Sequence, residues 1–275
     1  MSMNAFHARQ GGRPAAEKPQ KPPIERPGLS RVDALLVQRG LAASRTQAQR
    51  LIAEGRVLCD GKAVAKPSLA LPLDAAFYVE PDDSDRYVSR GGLKLAGALA
   101  ATGIAVAGKT CLDVGQSTGG FTDCLLQAGA RQVVGVDVGH GQLHERLARD
   151  PRVTALEGVN CRALTAADLG PDYPTQGFDL IVGDVSFISL TLILPQLPPL
   201  LAGDGDLLLL VKPQFELAPG QIGKGGIVRD PALYTEVERK LRDAAAALGL
   251  TVRAWLPSPI TGGDGNREFF TWLNP

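Results

Sequence analysis

Residues 110–126 read TCLDVGQSTGGFTDCLL, and this stretch decides the fold. Thr110–Val114 is a short apolar strand, Gly115, Gly119 and Gly120 make a turn, and a helix opens at Phe121. A strand ending in glycines just before a helix N-terminus brings unsatisfied backbone N–H groups close to a ligand, because no Cβ blocks the approach. A dinucleotide turn requires G-x-G-x-x-G, whereas these glycines fall as G-x-x-x-G-G, with Asp113 two residues before the first. An acid at that place suits a ligand with an amino-acid head: its carboxylate can reach an ammonium while the turn holds a carboxylate. S-adenosylmethionine has that shape.

A second apolar strand, Val133–Val136, ends in Asp137, 24 residues beyond Asp113. There it can accept hydrogen bonds from both ribose hydroxyls. The full expected cofactor set is Asp113, Gly115, Ser117, Thr118, Gly119, Gly120, Phe121, Asp137, Val138, Asn160 and Asp184. Strands alternate with helices onward, as in a parallel sheet covered by helices: Arg152–Leu156, then Phe178–Asp184, apolar except at its ends and so buried on both faces, then Leu207–Val211, which runs into Lys212. A helix over Pro231–Leu248 precedes a last strand, Glu268–Trp272. That strand is expected to run antiparallel, which puts Glu268 at the edge where the other strands end. Lys94, at the start of a helix following Arg90-Gly91-Gly92, is expected to join Asp184, Lys212 and Glu268 there.

The formal charge is +0 overall, but residues 1–80 carry 12 Lys/Arg against 7 Asp/Glu. A basic front on an acidic body points to a polyanionic partner for the N-terminal part. Residues 1–28 are proline-rich and poor in large apolar side chains, so they are expected to be a disordered tail. Met1–Arg13 lacks the apolar centre of a secretory signal. The longest weakly charged apolar run, Phe187–Ala202, contains three prolines and is no membrane span. Cys59, Cys111, Cys124 and Cys161 are scattered singly, which reads as reduced core residues in a cytoplasmic protein without a zinc site.

Within 30–80, Ser30 is expected to cap a helix over Arg31–Arg39 and Ser44 a second over Arg45–Ala53, with Gly40 and Gly55 as stops. Asp60-Gly61 turns a hairpin between Val57-Leu58-Cys59 and Ala63-Val64. A further strand lies near Ala76–Glu80. Arg31, Arg39, Arg45, Arg50, Arg56, Lys62 and Lys66 are assigned to outer faces.

The run SRVDALLVQRGLAASRTQAQRLIAEGRVLCDGKAV resembles the S-four RNA-binding domain, in which two helices and a β-loop hold structured RNA. That resemblance implies phosphate contacts from Arg31, Arg45, Arg50, Arg56, Lys62 and Lys66. The set Lys94, Asp184, Lys212, Glu268 resembles the Lys-Asp-Lys-Glu tetrad of FtsJ-type ribose 2′-O-methyltransferases. With SRGGLKL, DVGQSTGGFTDCLL, DVSFIS, LVKPQFE, GKGGIVRD and GNREFF, nearly the whole chain resembles the TlyA family, an S-four domain fused to an FtsJ-type domain. The implied organisation is an α/β, Rossmann-like S-adenosylmethionine-dependent methyltransferase domain over 90–275, a small α+β RNA-binding domain over 29–81 and a linker over 82–89.

The implied reaction is transfer of a methyl group from S-adenosylmethionine to a cytidine 2′-oxygen of ribosomal RNA, free or in a subunit. No metal is expected, since the sulfonium is already a good leaving group. Asp184 and Glu268 raise the pKa of a neighbouring lysine and so oppose a base role for Lys212, while Lys94 supports one by like-charge repulsion. Lys212 is expected to orient and stabilise the oxygen, positioned by Asp184 and Glu268, with the base role as the open alternative. Arg90, Lys224 and Arg229 complete the expected RNA contacts, the last two on a glycine-rich loop, 219–230, expected to be mobile. The sequence stops at Pro275, which resembles the shorter members that act on large-subunit RNA. Three alternatives stand beside this reading: a nicotinamide dehydrogenase, whose glycine spacing differs; a non-catalytic RNA-binding or ribosome-assembly factor; and a membrane-active haemolysin, a name the family has carried. The sequence leaves the oligomeric state open between monomer and homodimer.

Overall fold

Residue Asp113 lies in an inner strand of a seven-stranded sheet, and the order of that sheet explains where chemistry can occur. The structure, a computed structural model, describes residues 28–42 and 44–275. The disordered tail expected over residues 1–28 lies outside the described residues, Gly28 excepted. The chain divides into two compact units at Pro81/Asp82.

The first unit contains β1 (Leu29–Arg31), α1 (Val32–Gln38), α2 (Arg45–Ala53), β2 (Val57–Cys59), β3 (Lys62–Ala63), β4 (Ala70–Pro72) and β5 (Phe77–Val79). Its small core is Val32, Leu36, Ala48, Leu51, Ile52, Val57 and Val64. Ser44 caps α2 by accepting from the Gln47 N–H, as its position implies. Ser30 does not cap α1: it lies in β1, opposite Leu71 of β4. Asp60 and Gly61 both have positive φ, 49° and 75°, the mirror-image turn that matches strand twist.

The second unit contains α3 (Gly91–Thr102), β6 (Thr110–Val114), α4 (Gly120–Gln127), β7 (Gln132–Asp137), α5 (Glu145–Ala148), β8 (Val153–Glu157), α6 (Ala166–Leu169), β9 (Phe178–Gly183), β10 (Leu201–Val211), α7 (Pro213–Glu216), α8 (Pro231–Ala247), β11 (Thr251–Pro257) and β12 (Phe269–Asn274). The strand order is β11-β12-β10-β9-β6-β7-β8. The β8, β7, β6, β9 and β10 neighbours pair parallel, whereas β12 runs antiparallel to both β10 and β11. The chain leaves β6 toward β7 on one side and reaches β9 on the other, so a crevice opens beyond the carboxyl ends of β6 and β9. Val211 pairs with Phe269, which sets Lys212 and Glu268 side by side at that same edge.

Two apolar layers sandwich the sheet. One holds Leu112, Val114, Phe178, Ile181 and Leu207 against α8 through Val237 and Leu241; the other holds Cys111, Val133, Leu180, Leu208 and Phe270 against α3 and α4 through Leu95, Phe121 and Leu125. Fully burying a side chain of this size contributes roughly 1.5–3 kcal/mol, so the sheet edge is a rigid platform. Residues 82–89 belong to this second unit: Tyr87 is buried and the Val88 N–H donates to Asp123 at 2.8 Å. β10 begins six residues earlier than its apolar run, since Leu201 already pairs with Phe178 ahead of a register shift. β11 is an additional edge strand that the sequence pattern did not mark.

Candidate active site

At the open edge of β6 lies a cavity of about 490 Å³, lined by Gly115, Ser117, Asp137, Val138, Gln142, Asn160, Cys161, Arg162, Asp184, Val185, Ser186, Phe187, Ile188 and Ile193. The volume is that of a small-molecule site. Gly115 has φ +85°, and a Cβ there would sit 2.8 Å from the Asp184 carbonyl oxygen. Only glycine lets β6 turn away against the end of β9. Gly119 is equally constrained, with φ +91° and a Cβ position 2.4 Å from Leu147 Cδ1; it starts α4 under the turn.

Asp137 stands on the cavity wall and accepts from the Ser117 N–H at 2.8 Å and the Gly139 N–H at 2.7 Å. Each carboxylate oxygen keeps a second lone pair for a ligand hydroxyl. Asn160 faces the same space, its side chain capping a short turn through the Arg162 N–H at 3.0 Å. Val138, largely exposed, offers an apolar wall. Thr118 is exposed, whereas Gly119, Gly120 and Phe121 are buried behind the turn, and none of the four lines the cavity.

Asp113 is corrected in location. Its carboxylate is 0 % exposed and lies beneath the turn, where Oδ2 accepts from the Thr122 hydroxyl at 2.7 Å and Thr122 accepts from Gln116 at 2.9 Å. A direct reach into the cavity is therefore absent. Burial pushes its pKa up to about 7, against the Thr122 hydrogen bond and with help from the Asp184 and Asp137 charges. Cys161, half-buried, packs against the core as expected and also lines the cavity, and burial raises its thiol to about 11. All four cysteines are free thiols.

The four residues expected at the strand ends do converge, as two pairs. Lys212 Nζ lies 2.5 Å from Asp184 Oδ1 and donates to Ser186 Oγ at 2.7 Å. Lys94 Nζ lies 2.6 Å from Glu268 Oε2. Burial raises the Glu268 pKa, opposed first by the hydrogen bond from Lys94, then by the Lys94 and Lys212 charges, while Asp184 adds to the rise. The Lys212 and Asp184 charges thus reach Glu268, so the two pairs share one field. Asp184 Oδ1 and Glu268 Oε2 are thus each paired with a lysine ammonium, whereas Asp113 Oδ1, beneath the turn, meets no donor.

Sequence reasoning missed Ser186, Phe187 and the loop that carries them. Phe187 has φ +64°, is 90 % exposed at the cavity rim and rests its ring 5.2 Å from that of Phe215. A non-glycine residue in the left-handed region is a constraint that no local pattern announces. Asn266 was missed as well. Fully buried, it donates to the Gly226 carbonyl at 2.9 Å and accepts from the Val228 N–H at 2.9 Å. It pins the glycine-rich loop expected to be mobile, and Gln221 adds a bond to Glu236 at 3.0 Å.

The basic residues separate into groups. Lys62, Lys66, Lys224 and Arg229 are exposed. Arg31 and Arg45 are shared with buried Asp33, at 2.8 and 3.0 Å, and Arg50 with Glu54 at 3.0 Å. Arg90 donates to the Thr261 carbonyl at 3.1 Å. Arg56 is corrected: it is 8 % exposed and clamps the Glu80 carbonyl at 2.9 and 2.7 Å, so it is a structural tie rather than an outer cation. Among the described residues no group of His, Cys, Asp and Glu is arranged to hold a metal, and no helix is long and apolar enough to cross a membrane.

The FtsJ-like methyltransferase family matches residues 87–275, and the S4 domain matches residues 30–74. The 16S/23S rRNA (cytidine-2′-O)-methyltransferase TlyA of Mycobacterium tuberculosis is 48 % identical over 244 residues, covering 89 % of either chain. The chain belongs to the TlyA family of FtsJ-like methyltransferases. The 23S rRNA (cytidine-2′-O)-methyltransferase TlyA of Campylobacter jejuni is 32 % identical, covering 85 % of this chain and 95 % of the relative. A Streptococcus thermophilus structure described as a hemolysin superposes with a TM-score of 0.70 at 40 % identity, covering 90 % of this chain and 88 % of the other. In this TlyA-family chain the tetrad and the cavity fall inside the methyltransferase match.

Proposed function

We propose that this protein methylates the 2′-oxygen of a cytidine in ribosomal RNA, with S-adenosylmethionine as donor. The observation that carries the reading is the pair of lysine–carboxylate contacts, Lys212–Asp184 and Lys94–Glu268, set beside a nucleoside-sized cavity at the switch point of the sheet. A cavity walled by Asp137 and Asp184 suits a ligand that carries ribose hydroxyls and positive charge. Asp137, Ser117, Asn160 and Val138 would hold it, with Asp113 bracing the turn from behind. Bound there, S-adenosylmethionine supplies an electrophilic methyl group on a sulfonium.

The protein's own residues then treat the acceptor. The Lys212 ammonium is fixed between Asp184 and Ser186, so it presents a preset N–H to a hydroxyl whose oxygen gains negative charge, the arrangement that stabilises a developing oxyanion. Lys94, held by Glu268, adds a second cation. The near-neighbour carboxylates have acceptor capacity for the departing proton. The exposed Phe187 ring offers a stacking face to an unstacked base. Lys62 and Lys66 on the first unit, with Arg31, Arg45 and Arg50, and Arg90, Lys224 and Arg229 on the second, supply phosphate contacts that position the RNA without reading its sequence. A ribosomal substrate implies a cytoplasmic site of action.

The test is tritiated-methyl transfer from S-adenosylmethionine to ribosomal subunits and free ribosomal RNA from a strain lacking the gene, comparing wild type with Lys212→Ala. Label from the wild type alone supports the reading, and mapping it names the nucleotide and the subunit; the Mycobacterium relative is named for both RNAs and the Campylobacter relative for the larger. Absence of label on every substrate would leave an RNA-binding protein with a methyltransferase fold.

A further inference from the structure

We infer that Glu216 is a positioning residue, which fixes the loop between Asp184 and Leu190 against the helix that follows Lys212. Resting on the methyltransferase reading above, this extends it to a group outside the tetrad. Glu216 lies on α7, four residues after Lys212, and its side chain is 2 % exposed. Its carboxylate accepts from Ser189 Oγ at 2.5 Å, from the Leu190 N–H at 2.6 Å and from Lys240 Nζ at 2.9 Å. Lys240, on α8, also donates to the Glu216 carbonyl at 2.8 Å and to Ser189 Oγ at 3.3 Å. A carboxylate this deep is tolerated only with its charge paired and its lone pairs used, and here both conditions are met by donors from two separate segments.

The consequence is geometric. β9 ends at Gly183, so the seven residues from Asp184 to Leu190 cross the cavity rim without strand pairing. At one end Asp184 and Ser186 meet Lys212; at the other Ser189 and Leu190 meet Glu216. Lys212 and Glu216 bracket one four-residue helix, so the loop is held at both ends by the same short rigid element. Between the holds sits Phe187, with its positive φ, a conformation that persists only where the surroundings over-determine it. Removing the Glu216 charge frees one end, and Ser186 loses its fixed seat on Lys212. The opposite wall, Asp137, Ser117 and Asn160, is untouched.

The experiment uses the full chain with Glu216→Gln, Ser189→Ala and the double variant. Hydrogen exchange of the amides at 186–190 is measured together with kcat for ribosomal RNA, the Kd for S-adenosylmethionine and the Tm. Glu216→Gln is expected to speed exchange at 186–190 and to lower kcat at least about tenfold, the scale of a misplaced catalytic group, while cofactor affinity falls by less than kcat does, because the loop supplies only one wall of the cavity and Asp137, Ser117 and Asn160 stand on the other. Ser189→Ala is expected to move both in the same direction by less, and the double variant to add nothing to Glu216→Gln, since both act through one contact. The inference is overturned by a kcat within twofold of wild type despite faster loop exchange, by loss of cofactor affinity equal to the loss of kcat, or by additive effects. If Glu216→Gln does not fold, Ser189→Ala alone decides between these outcomes. If the wild type transfers no methyl group at all, the methyltransferase reading has failed, and unchanged exchange at 186–190 in the variants would separately overturn the loop anchor.

Discussion

Lys212 and Asp184 stand at the ends of two strands that pair parallel, β10 and β9, and their charged atoms come within 2.5 Å. Because Ser186 takes a second Lys212 N–H, the ammonium is oriented before any substrate arrives. Lys212→Ala is expected to lower kcat by on the order of 10²–10³, the range for loss of one oxyanion donor, with little change in cofactor Kd. Lys212→Arg keeps the charge and is expected to retain a larger share of the activity. A pH–rate profile at saturating substrate that shows a limb titrating near 7 in wild type and none in Lys212→Arg would make Lys212 the base instead.

The Lys94–Glu268 contact predicts a stability that depends on pH. Glu268 is buried, and its folded pKa lies above the usual value even with Lys94 beside it. Lys94→Met removes the largest opposing contribution and leaves a buried carboxylate without its cation, a change costing about 3–5 kcal/mol. In that variant the folded state holds a proton that the unfolded chain releases, so stability is greatest at low pH and falls as pH rises through the folded pKa. The Tm difference from wild type should therefore be larger at pH 8 than at pH 5, and Glu268→Gln in the Lys94→Met background should remove most of that dependence. Equal differences at both values would show that Glu268 is not the titrating group.

How far these pairs could be read in the sequence follows from the range of the interactions. Asp184 and Lys212 end apolar runs, and strand ends on a parallel sheet point to one edge, so local pattern sufficed. Glu268 was placed by the antiparallel sense of the last strand, which the β10–β12 register bears out. Other features depend on partners far along the chain. Ser30 pairs with Leu71 across 41 residues, Arg56 ties Glu80 and Asn266 ties Gly226. A buried Arg and an exposed Arg look alike in composition, and only the fold supplies the carbonyl that receives one of them. β11 escaped because its residues are half exposed and follow a glycine, with Arg253 interrupting the apolar run. Phe187 escaped because its φ is set by the loop anchors rather than by its neighbours in sequence.

Asp113 gives a second pH prediction, of the same sign. Its folded pKa of about 7 stands above the unfolded value near 3.8, so the folded state binds a proton the unfolded chain lacks between those values. Wild-type stability is expected to fall as pH rises from about 4 through about 7, by up to a few kcal/mol from this group. Asp113→Asn keeps an acceptor for Thr122 and cannot titrate, and its ΔG against pH should be flatter across that window. Urea unfolding at pH 4.5, 6 and 8 makes the comparison, and parallel curves for the two proteins would exclude Asp113 as the source.

The first unit predicts a division between two kinds of basic residue. Lys62 and Lys66 are exposed, and each that meets a phosphate releases counterions on binding. Lys62→Ala and Lys66→Ala are expected to weaken ribosomal RNA binding at low salt, to reduce the slope of log K against log salt by about one each, and to leave the Tm unchanged. Arg56→Ala is expected to do the reverse. It removes two hydrogen bonds from the Glu80 carbonyl at a site that is 8 % exposed, which costs about 1–3 kcal/mol when a buried partner is left unsatisfied. Its salt slope should equal that of wild type once folding is corrected for, because a side chain held inside the fold has no phosphate to neutralise. A reduced slope for Arg56→Ala with an unchanged Tm would place Arg56 on the RNA after all.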